Sequence, residues 1–188
     1  MPEKNLNGMR VAILVTDLFE QAELLEPRKA LEEAGATTVV IAPKGGEIQG
    51  VQHDKKDQTV KVDMTLDKAR PEEFDGVLLP GGAMNADALH MEKKAQEFVR
   101  AIDKAGKPIA VICHGPWLLV SAGLAKGRHL TSYHTIQDDL KNAGAKWEDK
   151  EVIRDRNWVS SRQPSDIPAF NREVMGLFSE GKAGQRVA

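Results

Sequence analysis

A chain of 188 residues with 41% hydrophobic residues is long enough to bury one core, so 1–188 reads as a single domain, with its core at about 9–178. With 29% charged residues and a net charge of -2 it lacks the basic patterning of a nucleic-acid or membrane-surface protein, and its one cysteine excludes an intrachain disulfide framework. The five histidines have no zinc-type spacing, so no metal or cofactor is expected; residues 1–8 lack a signal-peptide stretch and no apolar run approaches ~20 residues, which predicts a soluble cytoplasmic protein.

Residues 10–16 (RVAILVT) form a short apolar run suited to a strand buried on both faces. Asp17 is placed to cap the next helix. Residues 21–34 carry Leu24, Leu25 and Leu31 among charged residues and stop at Gly35, which predicts an amphipathic helix. Pro27 inside it predicts a kink or a lost hydrogen bond. Residues 38–42 read as a second strand, so the chain opens as a βαβ unit with a right-handed crossover.

Residues 45–62 are polar and alternating, as in a short antiparallel excursion at a sheet edge. Residues 76–79 are a buried strand stopped by Pro80-Gly81-Gly82. Residues 93–105 are helical, with Phe98, Val99 and Ile102 on one face, and 109–112 form the next strand. A helix runs over 117–122, then a short strand over 130–133 and a helix over 136–142. Residues 152–153 and 158–160 pair as a hairpin around Asp155-Arg156-Asn157. Asp166 opens a last helix through Phe178, with Pro168 in its first turn, and 180–188 reads as a loose tail, like the N-terminus. The alternation predicts a doubly wound, mostly parallel α/β sheet with helices on both faces. In such a sheet the site lies beyond the carboxyl ends of the strands.

Three of those ends carry chemistry. Cys113 ends an apolar strand and is succeeded by His114-Gly115-Pro116, a strand, sharp turn and helix that lift a nucleophile out of the sheet. The free N–H groups of the helix N-terminus are expected to lower the thiol pKa from about 8.5. A lone cysteine is more often a small inert hydrophobe; its place at a strand end before His114 and Gly115 balances the two readings, so the rest of the chain decides. Glu20 and Glu23 come after the first strand, on adjacent positions of one helical face. Acids there complement a helix dipole, but one pressed against Cys113 would keep its proton and donate it to the thiolate; Glu23 is favoured for that role.

Pro80-Gly81-Gly82 is either a plain turn or a place where backbone approaches the reacting centre, with the N–H groups of Gly81, Gly82 and His114 forming an oxyanion hole. His114 is either structural or a general base that needs an orienting acid, for which Asp87 is nominated. Adjacent residues on a turn diverge, so its ring need not touch Cys113. Tyr133, Trp117 and Glu20 are candidate pocket residues, with core packing the alternative for the aromatics.

Taken together, Phe19-Glu20-Gln21-Ala22-Glu23-Leu24 with Pro27, Leu79-Pro80-Gly81-Gly82, Ile112-Cys113-His114-Gly115-Pro116, Leu130-Thr131-Ser132-Tyr133, Asn142-Ala143-Gly144-Ala145 and Asn157-Trp158-Val159-Ser160-Ser161-Arg162 resemble the ThiJ/PfpI superfamily, and its PfpI (intracellular protease I) branch most closely. The resemblance implies a flavodoxin-like sandwich, a reactive cysteine at an elbow and a glutamate touching it, which maps to Glu23. It also implies that the histidine pairs with an acid from a neighbouring subunit, in the loop that holds Asp87 here. The site then lies at the interface of a homo-oligomer, a dimer or hexamer. Val111 stands where an elbow glycine is usual.

Members of that family have been described as proteases, glyoxalase-type enzymes and deglycases. The resemblance therefore implies a stress-related cysteine hydrolase acting on a small carbonyl compound or a peptide. The competing reading is a non-enzymatic oxidative-stress sensor that works by oxidation of Cys113, which has no second cysteine in the chain to resolve a sulfenate.

Overall fold

The computed structural model describes residues 5–185, with side chains through Lys182. Strand β1 (Arg10–Leu14) leads through β2 (Phe19–Glu20) into helix α1 (Gln21–Glu33) and strand β3 (Thr37–Ala42). Strands β4 (Glu47–Gln52), β5 (Lys55–Lys61) and β6 (Met64–Thr65) precede β7 (Gly76–Leu79). Helices α2 (Ala83–His90) and α3 (Lys93–Lys104), strand β8 (Ile109–Ile112) and helix α4 (Pro116–Ser121) come next. The chain closes with β9 (His129–Leu130), α5 (Gln137–Asn142), β10 (Lys146–Trp147), β11 (Val152–Asp155), β12 (Trp158–Ser161) and α6 (Ile167–Gln185).

The central sheet has the order β11-β12-β8-β7-β1-β3-β6, parallel throughout except for the β11–β12 hairpin. Its inner strands β1, β7 and β8 are apolar on both faces because both are covered. Val11 and Ile13 of β1 face one core with Leu24 and Leu31 of α1 and Phe170 and Phe178 of α6. Ala12 and Leu14 face the other, with Phe98, Val99 and Ile102 of α3 and Leu118 and Leu119 of α4. The result is the doubly wound fold that the alternation of elements predicts, in the flavodoxin-like form that the resemblance implies.

Several local expectations change. The β4–β5 excursion does not extend the central sheet. It joins β2 in a separate three-stranded sheet, with β2 and β4 parallel and β4 and β5 antiparallel. Asp17 does not cap α1; its Oδ1 accepts the Gln49 N–H at 2.8 Å, and Glu20 takes the N-cap position without a side-chain cap. Helix α1 runs on through buried Pro27, which has no N–H, so the expected loss there is of one hydrogen bond and not of the helix. The segment after Pro80-Gly81-Gly82 is helix α2 rather than a loop, and the strand expected over 130–133 shrinks to β9, paired with β10.

The tails are also tied down where they are described. Helix α6 continues to Gln185, Glu180 pairs with Arg154, and Lys182 Nζ donates to the Asn5 carbonyl at 3.1 Å. Leu6 is fully buried and its N–H donates to Ala34 O at 2.8 Å. The rest of the expected loose tails, 1–4 and 186–188, lies outside the described residues.

Gly76 shows how closely α6 packs on the sheet: a Cβ there would lie 2.7 Å from Phe178 Cε1 and 2.9 Å from Pro108 O. Overpacking of this kind costs ~1–3 kcal/mol, so Gly76→Ala should lower the urea midpoint. Combined with Phe178→Leu, the loss should be smaller than the sum of the single losses; strictly additive losses would place the clash on the backbone alone.

Candidate active site

Strand β8 delivers Cys113 at φ +64, a left-handed conformation that an L residue with a side chain rarely adopts. Two backbone bonds hold it there: Cys113 N–H donates to Ser161 O at 3.1 Å, and Cys113 O accepts the Tyr133 N–H at 2.8 Å. Gly115 lets the chain double back, because a Cβ on it would meet Leu79 O at 2.8 Å and Val111 Cγ2 at 2.9 Å. Pro116 then starts α4 with its ring at the first turn, where no donor is missed. Strain at one residue, fixed by its surroundings, is how a nucleophile is presented at a strand end.

Glu23, in the first turn of α1, is fully buried against this turn. Its Oε2 accepts the Gly81 N–H at 2.8 Å, its Oε1 is buried with no hydrogen-bonding nitrogen or oxygen, and its carboxyl interacts with the Cys113 thiol. Burial pushes the Glu23 pKa up to about 8; the Cys113 and Gly81 hydrogen bonds pull the other way, and the Glu20 charge adds to the rise. Glu23 therefore carries a proton at neutral pH.

Cys113 moves against expectation. Burial and then the Glu23 charge push its thiol up, while hydrogen bonds from the Gly82 and His114 backbone amides pull it down. The short α4 does not decide the matter, because the residue is only 6% exposed and desolvation comes first. The two groups titrate as a pair. While Glu23 holds its proton, the charge opposing thiolate formation is absent and a carboxyl O–H stands beside the sulfur.

The His114 ring does touch Cys113: its Nδ1 is 3.2 Å from Sγ, and its Nε2 is 3.2 Å from Thr135 Oγ1. Burial, with the neighbouring His134, lowers its pKa, so the ring is neutral at neutral pH. Tyr133 stacks on it with centroids 4.8 Å apart, and Trp117 lies 5.8 Å away on another side. Asp87 is exposed on α2, and within one chain the hydrogen-bond partner of His114 Nε2 is the Thr135 hydroxyl.

These groups floor an open cleft of about 900 Å³. Glu20, Glu23, Gly82, Cys113, His114 and Tyr133 line it, with Leu18, Val51, His53 and Lys56 on one wall and Gln163 and Ser165 on another. Glu20 is spent on structure as well, its Oε2 accepting the His53 N–H at 3.0 Å. Trp117 does not line the cleft; its indole N–H donates to Asp139 Oδ2 at 3.0 Å. Gly81 loses its place as an oxyanion donor, since its N–H is engaged by Glu23. The Gly82 N–H faces the Cys113 sulfur, from which it can pass to an oxygen bound there, and at φ +91 a Cβ on Gly82 would lie 2.6 Å from Glu20 N. Among the described residues, no group of three or more His, Cys, Asp or Glu side chains could hold a metal ion.

Two residues escaped the sequence. Thr135 meets His114 across 21 positions, and nothing local marks it. Asn85 is fully buried and bonds just beyond the ends of both β1 and β7, with Nδ2 on Pro80 O and Gly81 O and Oδ1 on the Thr16 N–H. A polar residue among Ala83, Ala86 and Ala88 was the only signal.

Comparison with known proteins identifies the family of the chain. The model of the DJ-1/PfpI family matches residues 9–177. The chain is 44% identical over 170 residues to Deglycase PfpI of Pyrococcus furiosus, covering 90% of this chain and 99% of that one. It is 41% identical over 170 residues to protein/nucleic acid deglycase 2 of Escherichia coli, covering 90% and 97%. It is 40% identical over 175 residues to general stress protein 18 of Bacillus subtilis, covering 92% and 99%. Among solved structures, a two-domain protein of Anabaena variabilis with DJ-1/ThiJ/PfpI-like and ferritin-like domains superposes with a TM-score of 0.86 at 31% identity, over 93% of this chain and 49% of that one. Drosophila melanogaster DJ-1beta superposes with a TM-score of 0.80 at 26% identity, over 96% and 98%. The chain belongs to the DJ-1/PfpI family.

Proposed function

We propose that this protein is a cysteine-dependent hydrolase of the deglycase or glyoxalase type, acting on small carbonyl compounds or their adducts, with short peptides as the alternative substrate. One observation carries the reading. The only cysteine sits on a strained elbow at the floor of a cleft, with a neutral imidazole 3.2 Å from its sulfur and a protonated carboxyl beside it. The relatives named deglycases support the choice of carbonyl chemistry.

In this mechanism Cys113 Sγ attacks the carbonyl carbon and His114 Nδ1 takes the thiol proton. The carboxyl of Glu23 donates to the sulfur until attack begins. The Gly82 and His114 amides hold the oxygen that becomes negative. His114 then returns its proton to the leaving amine as the C–N bond breaks, and a water deprotonated by His114 attacks the thioester carbon, breaking the C–S bond and releasing the acid and the Cys113 thiol. A second copy of the chain completes the site: an acid from that copy, Asp87 being the nominee, orients His114, so the active form is a homo-oligomer with the cleft at its interface. No described helix is long and apolar enough to cross a membrane, and the reading places the enzyme in the cytoplasm.

The buried Glu23 Oε1, which has no nitrogen or oxygen partner and lies on the side of the thiol, favours a second reading, oxidation of Cys113, because a protonated Oε1 would donate to a sulfinate oxygen. Mass spectrometry after mild peroxide would then show a rapid gain of two oxygens on Cys113 in a protein that turns nothing over.

Turnover of methylglyoxal, of a methylglyoxal-glycated amino acid and of a peptide panel should fall to background in Cys113→Ala; equal rates in both proteins would end the enzymatic claim. Asp87→Asn should lower turnover while the iodoacetamide rate of Cys113 stays as in wild type. Glu23→Gln replaces an acid O–H by a weaker amide donor and should slow alkylation of Cys113 at pH 7 by about tenfold, a difference of roughly 1.4 kcal/mol. Identical alkylation profiles would remove the carboxyl from the chemistry.

The same carboxyl sets a pH dependence of stability. Folding raises Glu23 from 4.5 to about 8, so the native state binds more protons between those values and stability falls as pH rises through them. Urea denaturation from pH 5 to pH 9 should show this fall in wild type and a flatter profile in Glu23→Gln.

A further inference from the structure

Asn85 is a fully buried polar side chain that the mechanism leaves unused. Its Nδ2 donates to Gly81 O at 2.9 Å and to Pro80 O at 3.2 Å, and its Oδ1 accepts the Thr16 N–H at 2.7 Å. One amide thus joins the end of β1 to the loop after β7. The pattern suits an amide and no other group of this size, since it needs a donor pair for the carbonyls and an acceptor for the N–H. An aspartate would set acceptor against acceptor.

The Gly81 carbonyl and the Gly82 N–H are opposite sides of one planar peptide, so fixing the oxygen fixes the hydrogen. The two glycines on either side impose little restraint of their own. The plane also rests against the nucleophile, because a Cβ on Gly81 would lie 2.5 Å from Cys113 Cβ. The one other bond to Gly81 O is long, 3.3 Å from Glu20 N.

We propose that Asn85 is a positioning residue: by holding the Gly81 carbonyl it aims the Gly82 N–H at the Cys113 sulfur and so sets the reactivity of the thiol without touching substrate. This rests on the reading of Cys113 as a nucleophile. The Gly82 amide is one of the two backbone donors that favour the thiolate, and free rotation of its peptide plane would withdraw it.

The test is the iodoacetamide alkylation rate of Cys113 against pH in wild type, Asn85→Ala, Asn85→Ser and, as a control, Ile102→Ala, which loosens the core at α3. Both Asn85 variants should alkylate roughly tenfold more slowly at pH 7, with an upward-shifted midpoint, as expected for losing one hydrogen bond to a charged group. Ile102→Ala should lose thermal stability and keep the wild-type midpoint. An unchanged profile in a folded Asn85 variant overturns the proposal. If neither variant folds, nitrogen-15 NMR of the wild type decides: the Gly82 amide and the Asn85 side-chain amide must shift together through the Cys113 midpoint, and a stationary Gly82 amide overturns it. A wild-type thiol no more reactive than that of the urea-unfolded chain overturns the nucleophile reading and this proposal with it, whereas slow variants beside a fast wild type uphold both.

Discussion

Everything around the candidate site is arranged to keep one carboxyl buried next to one thiol. Glu23 has no exposure at all, and one of its oxygens is secured by a single backbone amide, from Gly81. A carboxylate in that position would be expensive, so the group holds its proton into the neutral range. Its position results from helix α1 beginning directly after β2, which turns the first helical turn inward at the carboxyl ends of β1 and β7.

The second element is backbone geometry that the core over-determines. Cys113 keeps a positive φ because its N–H and its carbonyl are both engaged by neighbouring segments, at Ser161 and at Tyr133. Those segments are held in turn. Ser161 belongs to β12, fixed beside β8 in the sheet, and β12 begins at Trp158, whose indole N–H reaches Asp103 Oδ1 at 2.7 Å. Asp103 also receives Arg128 Nη2 at 3.2 Å, and the Arg128 guanidinium stacks 3.8 Å above Trp158. A buried polar cluster on one flank thus steadies the strand that pins the elbow.

Much of this was legible in the chain because it is local. Apolar runs of four to six residues marked β1, β3, β7 and β8, as expected for strands buried on both faces. The Cys-His-Gly-Pro turn could be named from its local pattern, which left Glu20 and Glu23 as candidates, and the family resemblance pointed to Glu23. What stayed hidden depends on closure in space. The apolar residues of helix α2, three of them alanine, follow no helical period, with Met84 exposed and Asn85 buried. Asn85 works through a bond spanning 69 positions, to Thr16. The direction of the Cys113 shift turns on desolvation, which no local pattern records, and the contact of His114 with the sulfur depends on a turn conformation that the sequence left open.

The small β2–β4–β5 sheet separates two jobs that most folds combine. Its hairpin supplies His53 and Lys56 to one wall of the cleft but shares no ladder with the central sheet. It is held instead by its ladder with β2, by Asp17 and Glu20, and by Gln21, which donates to Asp57 Oδ2 at 3.1 Å and accepts the Gln58 N–H at 2.9 Å. The tip of β4–β5 is solvated on most of its surface, so its residues can change in size and charge at little cost to the core. Ligand choice in this architecture can drift over generations while the reacting atoms stay where they are.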